Sequence, residues 1–197
     1  MKDIDTRVIA ARMVALTLAL PVGGVLAQNV DQCAVYAASL AYMERDSTAR
    51  IVVYDSTSLA TPSFAFHAWT GMGPRKSDTG FVVTDTMLQA LRAENRNRQA
   101  LPDCISSTRK ITRVWYDSLR AKFTDREKGW DVFKAAYPDA HGFFILSKVY
   151  WLASDGTQAL LYVARATHWL AGSGQILFLR KRDGRWRVEA YRAVWVS

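Results

Sequence analysis

Apolar positions in the last third of the chain gather into four runs, 143–152, 159–166, 175–181 and 185–196. Each run is rich in β-branched and aromatic residues, which suit a pleated, half-buried surface. Asp155-Gly156 and Asp183-Gly184 sit at two of the three joints. Asp-Gly supplies the positive φ angles that tight hairpin turns require. Ala171-Gly172-Ser173-Gly174 marks the third joint. Consecutive strands with short joints predict an antiparallel meander. In the last run Trp186, Val188 and Ala190 share one face, and Arg185, Arg187 and Glu189 share the other. The alternation then slips, and a bulge near Tyr191 would account for it and bend the sheet.

Upstream the period changes. Asp31 is placed to cap a helix reaching about Arg45, with Cys33, Tyr36, Ala37, Leu40 and Ala41 at helical spacing. Ile51–Tyr54 reads as a strand. Residues 56–83 are rich in Ser, Thr, Gly and Pro and read as a long loop. Thr84 or Asp85 opens a helix carrying Met87, Leu88 and Leu91, ended by Pro102. Ile111–Trp115 alternates as a second strand. Thr124 or Asp125 opens a helix with Trp130, Phe133 and Ala136, which Pro138 stops. The expected fold class is α+β: N-terminal helices packed on one face of a curved, C-terminal four-stranded antiparallel meander, cone-like in shape.

The first 27 residues change the picture. Lys2, Arg7 and Arg12 precede an apolar run from Met13 to Leu20, and Val25-Leu26-Ala27 ends the segment with small residues at −3 and −1. This is the pattern of a cleavable export signal, with Pro21, Gly23 and Gly24 breaking any helix. The expected division is a signal peptide over 1–27 and one α+β domain over 28–197, periplasmic or secreted. No later stretch is long and apolar enough to suggest a membrane span. Removing the leader takes away three basic and two acidic residues and lowers the formal charge from +8 to +7. The basic residues are spread from Arg45 to Arg192, and nucleic-acid binding, which needs a clustered basic face, is not expected. An exported chain with two cysteines points to one bridge, Cys33 to Cys104. It closes a loop of about 70 residues, worth up to ~4 kcal/mol in the chain-entropy account.

Chemistry is sparsely marked. His67, His141 and His168 are far apart, and neither a metal motif nor a cofactor motif is present, so no metal or cofactor is expected. His168 and His141 are candidates for a general base, against ordinary loop histidines. Glu189 is a candidate acid or base if it faces a pocket, against a cross-strand ion pair with Arg180 or Arg182. Gly172-Ser173-Gly174 lacks the spacing of a nucleophile elbow. The seven tryptophans include Trp169 and Trp151, which with Arg187 and Tyr191 are candidates for glycan or partner binding through stacking and cation–π contact, against a bulky core. The glycine-rich, basic 71–76 segment reads as a turn.

The C-terminal half carries Tyr137-Pro138, Gly142, Leu146-Ser147-Lys148-Val149, Gln158–Val163, Gly172, Gly174, Gly184–Val188 and Trp195-Val196-Ser197, and Cys33–Tyr36 fits the same pattern. This set resembles a group of exported, functionally uncharacterised bacterial proteins. The resemblance covers about the last 60 residues well, and it implies an envelope or secreted location and no activity. Many members carry two cysteines in the loop here occupied by Thr167–Gly172, which has none. At fold level the element order looks like the nuclear transport factor 2-like superfamily, including the SnoaL-like proteins, which hosts both enzymes and binding modules. Two readings follow: a non-enzymatic binding domain for an envelope protein or glycan, or a small cone-fold enzyme using acid–base chemistry between sheet and helices.

If the leader is cleaved as read, N-terminal sequencing of the exported protein starts at Gln28. Recovery of the intact chain in the membrane fraction would contradict it.

Overall fold

The computed structural model describes residues 23–58, 81–105, 110–168 and 170–197. The leader up to residue 22, His67, Trp69, the 71–76 segment and Trp169 lie outside them. Among the described residues the chain forms α1 (Gly23–Met43), β1 (Arg50–Tyr54), α2 (Asp85–Glu94), β2 (Ile111–Val114), α3 (Tyr116–Lys122), α4 (Arg126–Ala136), β3 (Ala140–Leu146), β4 (Tyr150–Trp151), β5 (Gln158–His168), β6 (Ala171–Arg182) and β7 (Arg185–Val196).

The fold is α+β, but the sheet is larger than a four-stranded meander. Seven strands form one mixed sheet in the order β2-β1-β3-β5-β6-β7, with β4 also paired to β5. β1 lies parallel to both β2 and β3, and the pairs from β3 onward are antiparallel. The expected run 143–152 is two strands. Ser147 interrupts it, yet donates its N–H to Tyr162 O at 3.0 Å and accepts the Tyr162 N–H on its hydroxyl at 2.9 Å. β5 is therefore paired along nearly all its length.

Helices cover both faces of this sheet, not one. Alternate strand residues explain why. Val52, Phe143, Ile145, Leu160, Tyr162, Ile176 and Phe178 pack with Leu88 and Leu91 of α2, Leu119 of α3, and Trp130 and Phe133 of α4. Their neighbours Ile51, Val53, Phe144, Leu146, Leu161, Val163, Leu177 and Leu179 pack with Val35, Tyr36 and Leu40 of α1. A sheet apolar on both faces must be covered twice.

α1 differs from expectation at its start. It begins at Gly23 and runs through residues 27 and 28, so Asp31 lies inside the helix and caps nothing. The Asp31 carboxylate instead accepts from Lys181 Nζ (2.7 Å) and Trp186 Nε1 (3.3 Å), tying α1 to β6 and β7. Cys33 and Cys104 form a disulfide with Cα atoms 5.8 Å apart. α2 is capped by Thr84, which accepts from Met87 N, and α4 by Asp125, which accepts from Lys128 N. α2 ends at Glu94, well before Pro102. There the Asn95 side chain donates to Leu91 O at 2.8 Å and accepts from Lys148 N at 2.6 Å.

The meander's joints also depart in detail. Asp183 (φ 50°) and Gly184 (φ 74°) form the two-residue turn between β6 and β7, as an Asp-Gly hairpin requires. The β4–β5 loop is longer, with the Asp155 carboxylate taking both the backbone and hydroxyl donors of Thr157. The third joint lies between His168 and Ala171, so Gly172, Ser173 and Gly174 are strand residues. Trp195 lies across these glycines and donates Nε1 to Tyr162 Oη at 2.8 Å. The alternation slips twice on β7: Phe178 pairs Ala190 and Leu179 pairs Val188, which leaves Glu189 extra, and Gly174 pairs Trp195 and Gln175 pairs Ala193, which leaves Val194 extra. Trp186 and Val188 therefore join the α1 side while Ala190 joins the other.

Three consequences can be measured. A methyl at Gly174 would sit 2.0 Å from Trp195 Nε1, so Gly174→Ala should lower stability by about 1–3 kcal/mol in denaturant unfolding. Trp186→Ala removes a buried indole and should cost about 3–5 kcal/mol, while Arg187→Ala on the exposed face should cost about 0.5 kcal/mol or less. Equal melting temperatures for the last two would contradict the strand phase.

Burial raises the Tyr36 and Tyr162 phenols from 10.0 to about 12, and raises Tyr54 as well. A raised folded-state pKa means that only the unfolded chain releases these protons just above pH 10. Stability should be unaffected by them below that pH and should fall steeply between about pH 10 and 12. A melting temperature flat across that window would show the phenols to be solvated.

Candidate functional site

β3 and β5 run antiparallel, with Phe143 opposite Ala166. That register carries the start of β3, at His141, and the end of β5, at His168, to one end of the sheet. α4 packs beside them. A cleft of about 460 Å³ opens there, with Trp130, Phe133 and Lys134 of α4 on one wall and Ala140, His141 and Thr167 on the other. Pro138 and Gly142 complete it. Gly142 has φ 149°, and a Cβ on it would lie 2.1 Å from Ala166 O, so only glycine allows β3 to meet β5 here.

The rim on the α1 side is charged. Arg165 interrupts the apolar run of β5 and must find a partner. It finds Glu44, just past α1: Nη2 lies 2.6 Å from Oε2, and Nη1 donates to Met43 O at 3.2 Å. The Glu44 side chain is only 6 % exposed. The same Oε2 stands 3.3 Å from His141 Nδ1. On the other side of the ring, Nε2 stands 3.7 Å from Asp46 Oδ2. The Asp46 carboxyl is held below its usual range, first by the hydrogen bond from the Thr48 hydroxyl, then by the Thr48 N–H and the charge of His141. The ring thus stands between two carboxylates, one facing each nitrogen.

The other candidates are dispersed. His168 stacks near Trp130, ring centroids 6.4 Å apart, at the cleft end of β5. Glu189 is at the far end of the sheet, ion-paired with Arg180 (3.3 Å) and Arg182. Trp151 packs against Trp186 at 5.7 Å within the α1-side core. Tyr191 lies against Tyr42 of α1 at 6.4 Å. Arg187 is exposed on the opposite face from both. The register of β3 and β5 thus places His141 and His168 at one end of the sheet, the first against Glu44 and Asp46 and the second against Trp130, away from Glu189, and the fold does not gather Trp151, Arg187 and Tyr191 into one surface. Among the described residues no group of three or more His, Cys, Asp or Glu side chains is arranged to hold a metal ion.

Glu44, Asp46 and Arg165 were not singled out from the sequence. The signal was present: a lone arginine in a strand of otherwise buried residues requires a buried acid, and Glu44 is one of only four glutamates.

Comparison with known proteins adds no relation: no family model, no curated protein and no solved structure matches this chain.

Glu44→Ala would leave the Arg165 guanidinium largely buried without its carboxylate. It should cost about 3 kcal/mol in stability, whereas His141→Ala, half exposed, should cost under about 1 kcal/mol. Similar losses for both would contradict the order of support, in which Glu44 serves Arg165 first.

Proposed function

We propose that the chain is an exported binding domain of the cell envelope that takes its partner, a glycan or a protein segment, at the cleft between α4 and the β3–β5 end of the sheet. The observation that carries this reading is the make-up of the cleft. Its floor rests on the buried rings of Trp130 and Phe133, and its open edge carries exposed Lys134, half-exposed His141 and Thr167. A concave apolar floor ringed by a few polar side chains suits a sugar ring or a short peptide segment. The disulfide suits an oxidising compartment, and no helix among the described residues is long and apolar enough to cross a membrane. On this reading the chain stands beside the exported bacterial group whose C-terminal pattern it shares.

An acid–base enzyme is the second reading, and the Glu44–His141 contact at the cleft edge favours it. Against it, both nitrogens of His141 face carboxylates, and Glu189 is tied to arginines away from the cleft. NMR titration of isotope-labelled protein with soluble peptidoglycan fragments separates the two. Binding predicts shifts at Trp130, Lys134 and Thr167, loss of them in Lys134→Glu, and unchanged fragments. New fragment resonances that vanish with His141→Ala would establish turnover and overturn the binding reading. Shifts confined to other surfaces would remove the cleft from it.

A further inference from the structure

The hairpin β6–β7 carries a second feature, at the opposite end of β5 from the cleft and about 30 Å away by strand length. Arg180 is directly opposite Arg187, and Arg182 directly opposite Arg185. Arg180 follows Ile176 and Phe178 on the face that α2, α3 and α4 cover elsewhere. The four arginines therefore form a two-by-two grid on one face, roughly 5 Å across the strands and 7 Å along them. Here that face is open: Arg185 and Arg187 are exposed.

One carboxylate serves the grid. The bulge at Glu189 keeps its side chain on the arginine face, only 8 % exposed, where it pairs with Arg180 and Arg182. Arg185 and Arg187 make no ion pair or hydrogen bond among the described residues. Asp183, in the turn, makes none to the arginines either. Four positive charges thus meet one buried negative charge, plus one exposed at the tip. Like charges directly opposed across a ladder destabilise it. Among the described residues no carboxylate compensates Arg185 and Arg187, which leaves both guanidinium groups open to an anion from outside the chain.

We propose that this arginine face docks on a membrane surface rich in anionic phospholipid, with Arg185 and Arg187 taking headgroup phosphates. The guanidinium fork matches phosphate oxygens two at a time. The grid lies at the open end of a sheet, where an extended anionic surface can reach it. Nucleic acid fits less well. β6 is paired on its other side with β5, so the hairpin is not a free ribbon able to enter a groove. The aromatic beneath the grid, Phe178, is fully buried under Arg180 and offers no base-stacking platform.

The test is vesicle co-sedimentation of the protein as exported, without its leader, with vesicles of phosphatidylcholine alone or of phosphatidylcholine mixed with anionic phosphatidylglycerol. Three proteins are compared: wild type, Arg185→Gln/Arg187→Gln, and Arg92→Gln/Arg96→Gln as a control of equal net charge. The expected result is binding to the phosphatidylglycerol vesicles only, weakened by added salt. The hairpin variant should bind about thirtyfold more weakly, at about 1 kcal/mol for each basic residue at an anionic surface, and the control should change little. Its melting temperature should stay level or rise, because opposed like charges are relieved. Equal weakening by both variants would reduce the effect to net charge and overturn the proposal. So would binding to single-stranded DNA in preference to vesicles. Self-association of the hairpin variant without any vesicle binding by wild type would assign the arginines to guarding the β7 edge, and would also overturn it.

Discussion

The structure depends on one strand being buried on both faces. From Ala159 to Ala164 every residue of β5 is inaccessible to solvent. Side chains alternate along a strand, so such a run needs apolar cover above and below. α1 provides one layer and α2, α3 and α4 the other. The charged rim of the cleft follows from the same constraint. Arg165 is the next residue of that strand, and its charge has to be met by the carboxylate that α1 delivers at Glu44. His141 reaches Glu44 because β3 pairs with β5 in the register that puts Phe144 beside Arg165.

α1 is fixed to its layer by bonds of three kinds. The disulfide joins it to the short helical turn Asp103–Ile105, the Asp31 carboxylate joins it to Lys181 and Trp186, and the Tyr36 hydroxyl donates to Ser147 O at 3.0 Å. The helix that closes the core is thus also the element that places Glu44 and Asp46 at the cleft.

How much of this was legible in the sequence differs by element. β1, β2, β6 and β7 were evident from alternation and from β-branched runs, the caps at Thr84 and Asp125 from side chains that satisfy helix N–H groups, and the disulfide from cysteine count and compartment. Those signals are local. The parallel pairing of β1 with β2 and β3 is not, because it joins Ile51 to Ile111 and Val52 to Phe143 across long stretches of chain. With β1 in the sheet, its alternate residues face two layers, and the expectation of one helical layer fails for that reason. The short α3 was missed because Tyr116–Lys122 starts at Trp115 without a side-chain cap. The bulge was placed two residues late because Glu189 looks like an ordinary outward residue until its pairing to Phe178 and Leu179 is known. In the site, the two histidines were named, but the partner of His141, Glu44 with Arg165, is a long-range pairing.

Amide hydrogen exchange is the most direct test of a single doubly covered sheet. The account predicts that Val52 and Val53 of β1 and Phe144 and Ile145 of β3 exchange as slowly as Leu160–Ala164 of β5, all by global unfolding. Protection confined to β5, β6 and β7, with β1 exchanging orders of magnitude faster, would mean that the meander is a core of its own and would contradict the account.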